Sequence, residues 1–309
     1  MKLLFLSGAD RAEAWRAQFA KLAPELEFVQ WPDVPDPAAI DFALVWKYPP
    51  GELARYPNLK LVSSLGAGID HIVGDPHFPA HVPFVRLVDP SLTDGMVEYA
   101  IYGALRHHRQ MRQYESFQRA GEWRPLPAPD TKSTRVGVAG VGEIGGAVAR
   151  ALAGLGFAVA GWSRSGDGPE GLEMFAGAAG WKPFLARTDI LVCVLPLTDA
   201  TRGILNAEAF AAMPQGSALI NIARGGHVVA ADLIAALDSG PVAYALLDVT
   251  DPEPLPAIHP FWRHPKIEIT PHIASLTNPA TAAPQVVENV RAFLNGKPLR
   301  NLVDRGQGY

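Results

Sequence analysis

Arg224, Glu253 and His272 are the residues whose types could act together. Each stands just past a short apolar run of β-like character. Ala218–Ala223 leads into Arg224, Tyr244–Val249 into Asp251-Pro-Glu-Pro254, and Ile267–Thr270 into Pro271-His272. A guanidinium can neutralise a growing oxyanion and can grip a carboxylate through two hydrogen bonds. A histidine can give up a proton near neutral pH, and a carboxylate beside it orients the ring and favours its charged form. Delivery of a hydride to a ketone carbon calls for this set, because the oxygen must gain a proton while its negative charge is held. Singly, none of the three is informative. The chain has nine histidines, and an arginine can cap a turn. Their shared placement after strands is what counts.

Upstream stands Gly140-Val-Gly-Glu-Ile-Gly145, between the β-like run Arg135–Ala139 and a helical pattern of Ile144, Val148, Ala151, Leu152 and Leu155. In that context the G-x-G-x-x-G spacing predicts a dinucleotide site. Gly140 permits the tight turn, Gly142 lets the backbone approach a pyrophosphate, and Gly145 lets helix and strand pack closely. The helix start at Glu143 and Ile144 would offer unpaired amides to the phosphates. The next strand, Phe157–Gly161, runs into Trp162-Ser-Arg-Ser165, with no carboxylate where an NAD site places one; Asp167 comes late for the ribose. Arg164 with the Ser163 and Ser165 hydroxyls suits a 2′-phosphate. NADP(H) is the expected cofactor.

These residues need a scaffold, and its pattern is legible. Lys2–Leu6, Phe28–Val29, Ala43–Trp46, Leu59–Ser63 and Phe84–Val88 read as strands in the first part, with helical runs such as Arg11–Leu22 between them. One long helix follows from Asp94 to about Tyr114, with Thr93 or Asp94 as its cap. After Pro125-Leu-Pro-Ala-Pro129 the alternation resumes through Arg135–Ala139, Phe157–Gly161, Ile190–Leu195, Ala218–Ala223, Tyr244–Val249 and Ile267–Thr270, and Gln285–Leu294 reads as a last helix. The expected fold is α/β, with two doubly wound parallel-sheet domains, the second a Rossmann dinucleotide-binding domain.

Net charge is −4 with no basic stripe, which argues against nucleic acid and anionic membrane surfaces as partners. Apolar residues are 48% of the chain, yet no run reaches the length of a membrane span, and Met1–Leu6 is too short for a signal peptide core. The single cysteine, Cys193, cannot form an internal disulfide. A cytoplasmic protein is expected. No metal site is expected.

Together these motifs resemble the D-2-hydroxyacid dehydrogenase family. The likeness is carried by Val141-Gly-Glu-Ile-Gly145, Leu195-Pro-Leu-Thr198, Asn221-Ile-Ala-Arg-Gly-Gly226, Leu247-Asp-Val-Thr-Asp-Pro-Glu-Pro-Leu-Pro256 and Thr270-Pro-His-Ile-Ala-Ser275, in the family's order. In the first part it extends to Ser64-Leu-Gly-Ala-Gly-Ile-Asp70. The resemblance implies that Leu195, Pro196, Ala223 and Asp248 lie along the cofactor, and that the Ala67 and Gly68 amides bind the substrate carboxylate. The residues themselves leave Asp248 open: it supports Arg224 or the nicotinamide, or it satisfies loop amides. The resemblance also implies a discontinuous substrate domain, residues 1–99 with 283–309, around an NADP domain of residues 100–282. A homodimer is implied too, with Tyr114–Trp123 and the proline-rich stretch as contact candidates. Ala43-Leu-Val-Trp46 and Trp162-Ser-Arg-Ser165 resemble the glyoxylate/hydroxypyruvate reductase branch, where Trp46 would line the substrate pocket.

One departure is Thr250, where many relatives carry an aromatic residue. Lys47 and Arg86 are the first-domain bases a phosphorylated substrate would use, and neither is well placed for it. A dehydrogenase of bulkier 2-hydroxy acids and a non-catalytic dinucleotide sensor are the alternatives. A formate dehydrogenase would have no use for the His272–Glu253 pair.

Overall fold

The computed structural model describes residues 1–8 and 11–304, which fall into two compact units, one from 1–92 with 276–304 and the other Thr93–Ser275. In the first unit β1 (Lys2–Ser7), α1 (Ala12–Leu22), β2 (Glu27–Gln30), β3 (Ile40–Trp46), β4 (Leu61–Ser64), the short α2 (Asp70–Val73) and β5 (Phe84–Val85) follow one another. The sheet order is β2-β1-β3-β4-β5, with every pair parallel. Strand side chains alternate between two cores. Leu3, Phe5, Phe42, Leu44 and Leu61 face one, against Trp15 and Phe19 of α1; Leu4, Leu6, Ala43, Val45 and Val62 face the other. Strands covered on both faces in this way read as nearly continuous apolar runs.

α3 (Pro90–His108) carries the chain into the second unit and is followed by α4 (Met111–Ala120). The single helix expected from Asp94 to Tyr114 therefore begins four residues earlier and is broken. Gln110 takes a left-handed conformation, φ 57°, which no α-helix can pass through. Then come β6 (Arg135–Ala139), α5 (Glu143–Gly154), β7 (Ala158–Ser163), β8 (Glu173–Ala176), α6 (Gly177–Ala186), β9 (Ile190–Cys193), α7 (Ala207–Ala211), β10 (Ser217–Asn221), α8 (Ala230–Asp238), β11 (Val242–Leu247) and β12 (Ile267–Ile269). α9 (Pro279–Leu294) returns to the first unit and packs on α1. It starts earlier than the expected Gln285, because Asn278 caps it through the Ala280 amide and Pro279 occupies its first turn.

The second sheet runs β12-β11-β10-β9-β6-β7-β8, again with every pair parallel. Its centre is apolar; all four residues of β9 are wholly buried. Each such aliphatic side chain contributes roughly 1.5–3 kcal/mol. Strand order reverses between β6 and β9, and in doubly wound sheets the ligand crevice opens at the carboxyl ends of the strands there.

The unit boundaries fall after Leu92 and Ser275 rather than after residues 99 and 282. Packing explains the difference. Ala100 and Ala104 of α3, with Met96 and Val97, sit against the second unit's core, whereas Ala282 and Ala283 belong to the first unit's core.

Candidate active site

At the end of β6 the glycine turn has the stereochemistry its spacing predicts. Gly140 is left-handed, φ 91°, and a Cβ there would stand 2.8 Å from Val194 O. A Cβ on Gly145 would lie 1.7 Å from Gly140 O, so helix and strand meet at backbone contact. Gly142 caps α5 and has nothing within 4 Å of where its Cβ would be, which leaves the backbone open to a ligand. The first intrahelical bond runs from Gly146 N–H to Gly142 O. The amides of Glu143 and Ile144 therefore precede the ladder and belong to the helix's positive end.

At the end of β7, Arg164 and Ser165 are exposed. The two serines differ. Ser163 Oγ donates to Asp167 O at 3.0 Å and accepts from Gly166 N–H at 3.0 Å, so it holds the turn. Ser165 Oγ accepts from the Asp167 amide at 3.3 Å and keeps its own hydrogen to give. Arg164 and Ser165 are the better placed of the three to meet an anion.

Beyond β10, Arg224 is half-buried and extended, and its Nη1 donates to Ala223 O at 2.7 Å. A Cβ on Gly225 would come within 1.9 Å of the Thr250 carbonyl carbon, so only glycine lets the Arg224 turn lie against the loop after β11. That loop carries Glu253. Its Oε1 accepts from the Thr250 amide at 3.1 Å, and its Oε2 accepts from His272 Nδ1 at 2.9 Å. A carboxylate only accepts, so Nδ1 carries the hydrogen, and the opposite ring nitrogen, Nε2, is the one left to exchange a proton. Both side chains are partly exposed, 27% for His272 and 22% for Glu253, so a substrate can reach them.

His272 is held in a left-handed conformation, φ 57°, which a β-carbon disfavours. Its amide donates to Asp248 O at 2.8 Å. The buried Asp248 carboxylate then accepts from the Ile273 amide at 2.7 Å, the Ala274 amide at 2.9 Å and Thr270 Oγ1 at 2.6 Å. Thr270 in turn accepts from the Tyr99 hydroxyl on α3, whose phenol burial keeps protonated. Asp248 was expected to support Arg224 or the nicotinamide, or to satisfy loop amides. The bonds it makes here are to the loop, and through it Asp248 places His272.

Leu195 and Pro196 follow β9; Leu195 is buried, and Pro196 O accepts from Thr201 Oγ1 at 2.6 Å. Ala223 is buried, its amide donating to Asn221 Oδ1 at 3.1 Å. Asn221, His227, Thr270 and Tyr99 were not expected as site residues. The one signal for Asn221 and Thr270 is a polar residue closing an apolar strand.

The first unit has its own arrangement. Trp46 closes β3, and its ring lies over Gly66, where a Cβ would stand 2.7 Å from Cζ3. The edge of His71 meets that ring at 4.8 Å between centroids. Buried Ser64 shapes the turn, its Oγ accepting from the Gly66 amide at 3.2 Å, and leaves Ala67 and Gly68 partly exposed. At the carboxyl ends of β1 and β3, where this sheet's strand order reverses, Ser7, Trp31, Lys47 and Tyr48 help to line a cavity of about 330 Å³.

The profile described as D-isomer specific 2-hydroxyacid dehydrogenase, NAD binding domain, matches residues 101–274. The chain belongs to this family. Glyoxylate/hydroxypyruvate reductase A of Serratia proteamaculans is 40% identical over the full length of both chains. Among solved structures, a D-isomer specific 2-hydroxyacid dehydrogenase of Xanthobacter autotrophicus in complex with NADPH and MES is 44% identical, with a TM-score of 0.94 over 100% of this chain and 99% of that one. The NADPH-dependent glyoxylate/hydroxypyruvate reductase of Sinorhizobium meliloti, in complex with NADP and sulfate, is 40% identical, with a TM-score of 0.94 over the whole of both chains. This 2-hydroxyacid dehydrogenase thus has a His–Glu pair, an arginine turn and a glycine turn at the carboxyl ends of one parallel sheet. No helix among the described residues is long and apolar enough to cross a membrane.

Proposed function

We propose that this 2-hydroxyacid dehydrogenase reduces small 2-oxo acids such as glyoxylate and hydroxypyruvate with NADPH. The observation that carries this reading is the 2.9 Å contact of His272 Nδ1 with Glu253 Oε2 on the same sheet edge as the Gly140–Gly145 turn. The names of the relatives and the bound NADPH and NADP of the similar structures support it. When bound, the reduced nicotinamide supplies the hydride. The open backbone at Gly142 and the amides of Glu143 and Ile144 suit a pyrophosphate, and Arg164 with Ser165 suits a 2′-phosphate. Leu195, Pro196 and Ala223 flank the nicotinamide end.

His272 gives its Nε2 proton to the ketone oxygen while Glu253 steadies the ring. Arg224 holds the substrate carboxylate and the charge growing on that oxygen. Within the first unit, the partly exposed turn at Ala67 and Gly68 suits a carboxylate, and Trp46, whose ring lies over Gly66, suits a role in substrate size selection. The protein works in the cytoplasm as a homodimer. α4 buries none of its residues, and the neighbouring Trp123 is fully exposed, which suits a surface made for a second copy.

The test is oxidation of NADPH, with NADH in parallel, against glyoxylate, hydroxypyruvate, pyruvate and phenylpyruvate. The expected result is turnover of glyoxylate and hydroxypyruvate with NADPH preferred. Preference for phenylpyruvate would point to a bulkier natural substrate. NADPH binding without turnover of any of the four would point to a sensor.

A further inference from the structure

Two buried polar side chains flank the Arg224 turn, Asn221 and His227, and neither has any exposed surface. Asn221 Nδ2 donates to Arg224 O at 3.0 Å. His227 Nδ1 stands 3.0 Å from the same oxygen, and its Nε2 stands 3.3 Å from Pro196 O, beyond β9. Carbonyl oxygens only accept, so a ring nitrogen facing one must carry hydrogen to bond it. A neutral ring makes one of the two bonds, and an imidazolium makes both. An apolar side chain would fill this space without the cost of burying an imidazole. Packing alone therefore gives no reason for histidine here, whereas the two carbonyls do.

We propose that His227 is a positioning residue for Arg224. Together with Asn221 it holds the Arg224 carbonyl through the shorter contact, from Nδ1 at 3.0 Å, and its ring fills the space between the turn and Pro196 beyond β9. On the other side the turn rests on the Thr250 backbone at Gly225. Held from both sides, the guanidinium is offered to the substrate in one orientation. The inference rests on the reading of Arg224 as the group that binds carboxylate and oxyanion.

The test compares His227→Asn, His227→Gln and His227→Leu with Arg224→Ala in the full-length enzyme. NADPH and the fastest 2-oxo acid of the panel serve as substrates. Asparagine sets an amide donor near the Nδ1 position, toward Arg224 O; glutamine sets one near Nε2, toward Pro196 O. In the leucine variant kcat/KM should fall by about tenfold or more, as displacement of a substrate-binding group does. Asparagine should restore most of the loss and glutamine little of it. NADPH affinity should fall much less than kcat/KM in all three, because Pro196 O keeps its bond from Thr201 Oγ1 when the His227 contact is lost. A role confined to core stability would move melting temperatures without separating asparagine from glutamine in kcat/KM. Equal kcat/KM in those two variants, recovery in glutamine instead, or wild-type kcat/KM in the leucine variant would each overturn the proposal. If the leucine variant does not fold, the comparison of asparagine with glutamine decides. Full activity in Arg224→Ala would overturn the role of Arg224 and this inference with it; an inactive Arg224→Ala beside equal asparagine and glutamine variants would remove His227 alone.

Discussion

Glu253 meets His272 through one carboxylate oxygen, 2.9 Å from Nδ1, while its other oxygen takes the Thr250 amide at 3.1 Å. The carboxylate is thereby anchored to its own loop and aimed at the ring on the next. The histidine is fixed twice over. Its ring is oriented by Glu253, and its left-handed backbone is held by the carbonyl of Asp248. Strain of this kind persists only where the surroundings over-determine it.

The pair should be separable by substitution. Replacing His272 by alanine is expected to lower kcat by about 10²–10⁴-fold, the usual worth of a positioned general acid. NADPH binding should be nearly intact. Glu253→Gln keeps an acceptor but loses the charge, and a drop of roughly tenfold to a hundredfold is expected, the worth of one charge-assisted hydrogen bond. Steady-state kinetics with fluorescence titration of NADPH reads both. Unchanged turnover in His272→Ala would take the residue out of the mechanism.

Asp248 should show a different signature, with stability and rate falling together. Asparagine retains one acceptor oxygen and sets an amino group against a backbone amide of Ile273 or Ala274. Leaving one buried amide without an acceptor costs about 1–3 kcal/mol. Thermal unfolding should shift down, and kcat should fall because the His272 loop loosens. A lower melting temperature at wild-type kcat would show that this carboxylate serves the fold alone.

How far the sequence goes depends on whether a residue answers to its neighbours in the chain or to distant ones. The glycine turn is legible because each glycine meets a steric demand within one strand–helix unit. Arg224, Glu253 and His272 are legible because doubly wound topology puts the ends of successive strands on one edge. β8 is not legible. It lies at the sheet edge, none of its four residues is buried, and no apolar period marks it. The break at Gln110 is hidden for another reason. The Arg106–Glu115 and Arg106–Glu268 ion pairs hold α4 where it is, and Glu268 is far away in sequence. Gly225 and His227 are silent in the same way. Gly225 is a glycine because of the Thr250 backbone against it, and the buried His227 ring lies between the Arg224 carbonyl and that of Pro196, neighbours brought there only by folding.

Gly145 and Gly142 of the turn should fail differently. Gly145→Ala forces a methyl group to 1.7 Å from Gly140 O, and no flexible side chain is there to give way. Overpacking of this kind costs about 1–3 kcal/mol or more, so a large loss of stability is expected in circular dichroism melts. Gly142→Ala meets nothing within 4 Å and sits at φ −70°, which alanine adopts freely. That variant should fold normally and bind NADPH more weakly. Undiminished NADPH affinity in Gly142→Ala would mean that the pyrophosphate does not pass this turn.

Arg164 should decide between the two nicotinamide cofactors. Its replacement by alanine removes a charge-assisted contact worth roughly 1.5–3 kcal/mol, which corresponds to about a tenfold to hundredfold loss of NADPH affinity. NADH lacks the 2′-phosphate, so its affinity should hardly change. Ser165→Ala should move NADPH affinity in the same direction by less. Ser163→Ala should act on the stability of the turn, since that hydroxyl bridges Asp167 O and the Gly166 amide. Equal losses for both cofactors in Arg164→Ala would contradict the phosphate assignment.

A last expectation concerns acid stability and involves none of the reacting residues. His107 of α3 stacks on Tyr244, the rings being 6.0 Å apart and 3° from parallel. Burial there pushes its pKa down to about 4, from an ordinary value of 6.5. As pH falls through 6.5 the unfolded chain takes up a proton that the folded protein refuses until about 4. The contribution of His107 to stability is therefore complete above pH 6.5 and declines as pH falls from 6.5 towards 4. Its slope is at most about 1.4 kcal/mol per pH unit, the value for one proton. His107→Phe keeps the stacked ring and removes the titration. Urea unfolding between pH 4 and 7 should show a shallower acid decline in that variant than in the parent, and parallel curves would mean that His107 protonates alike in both states.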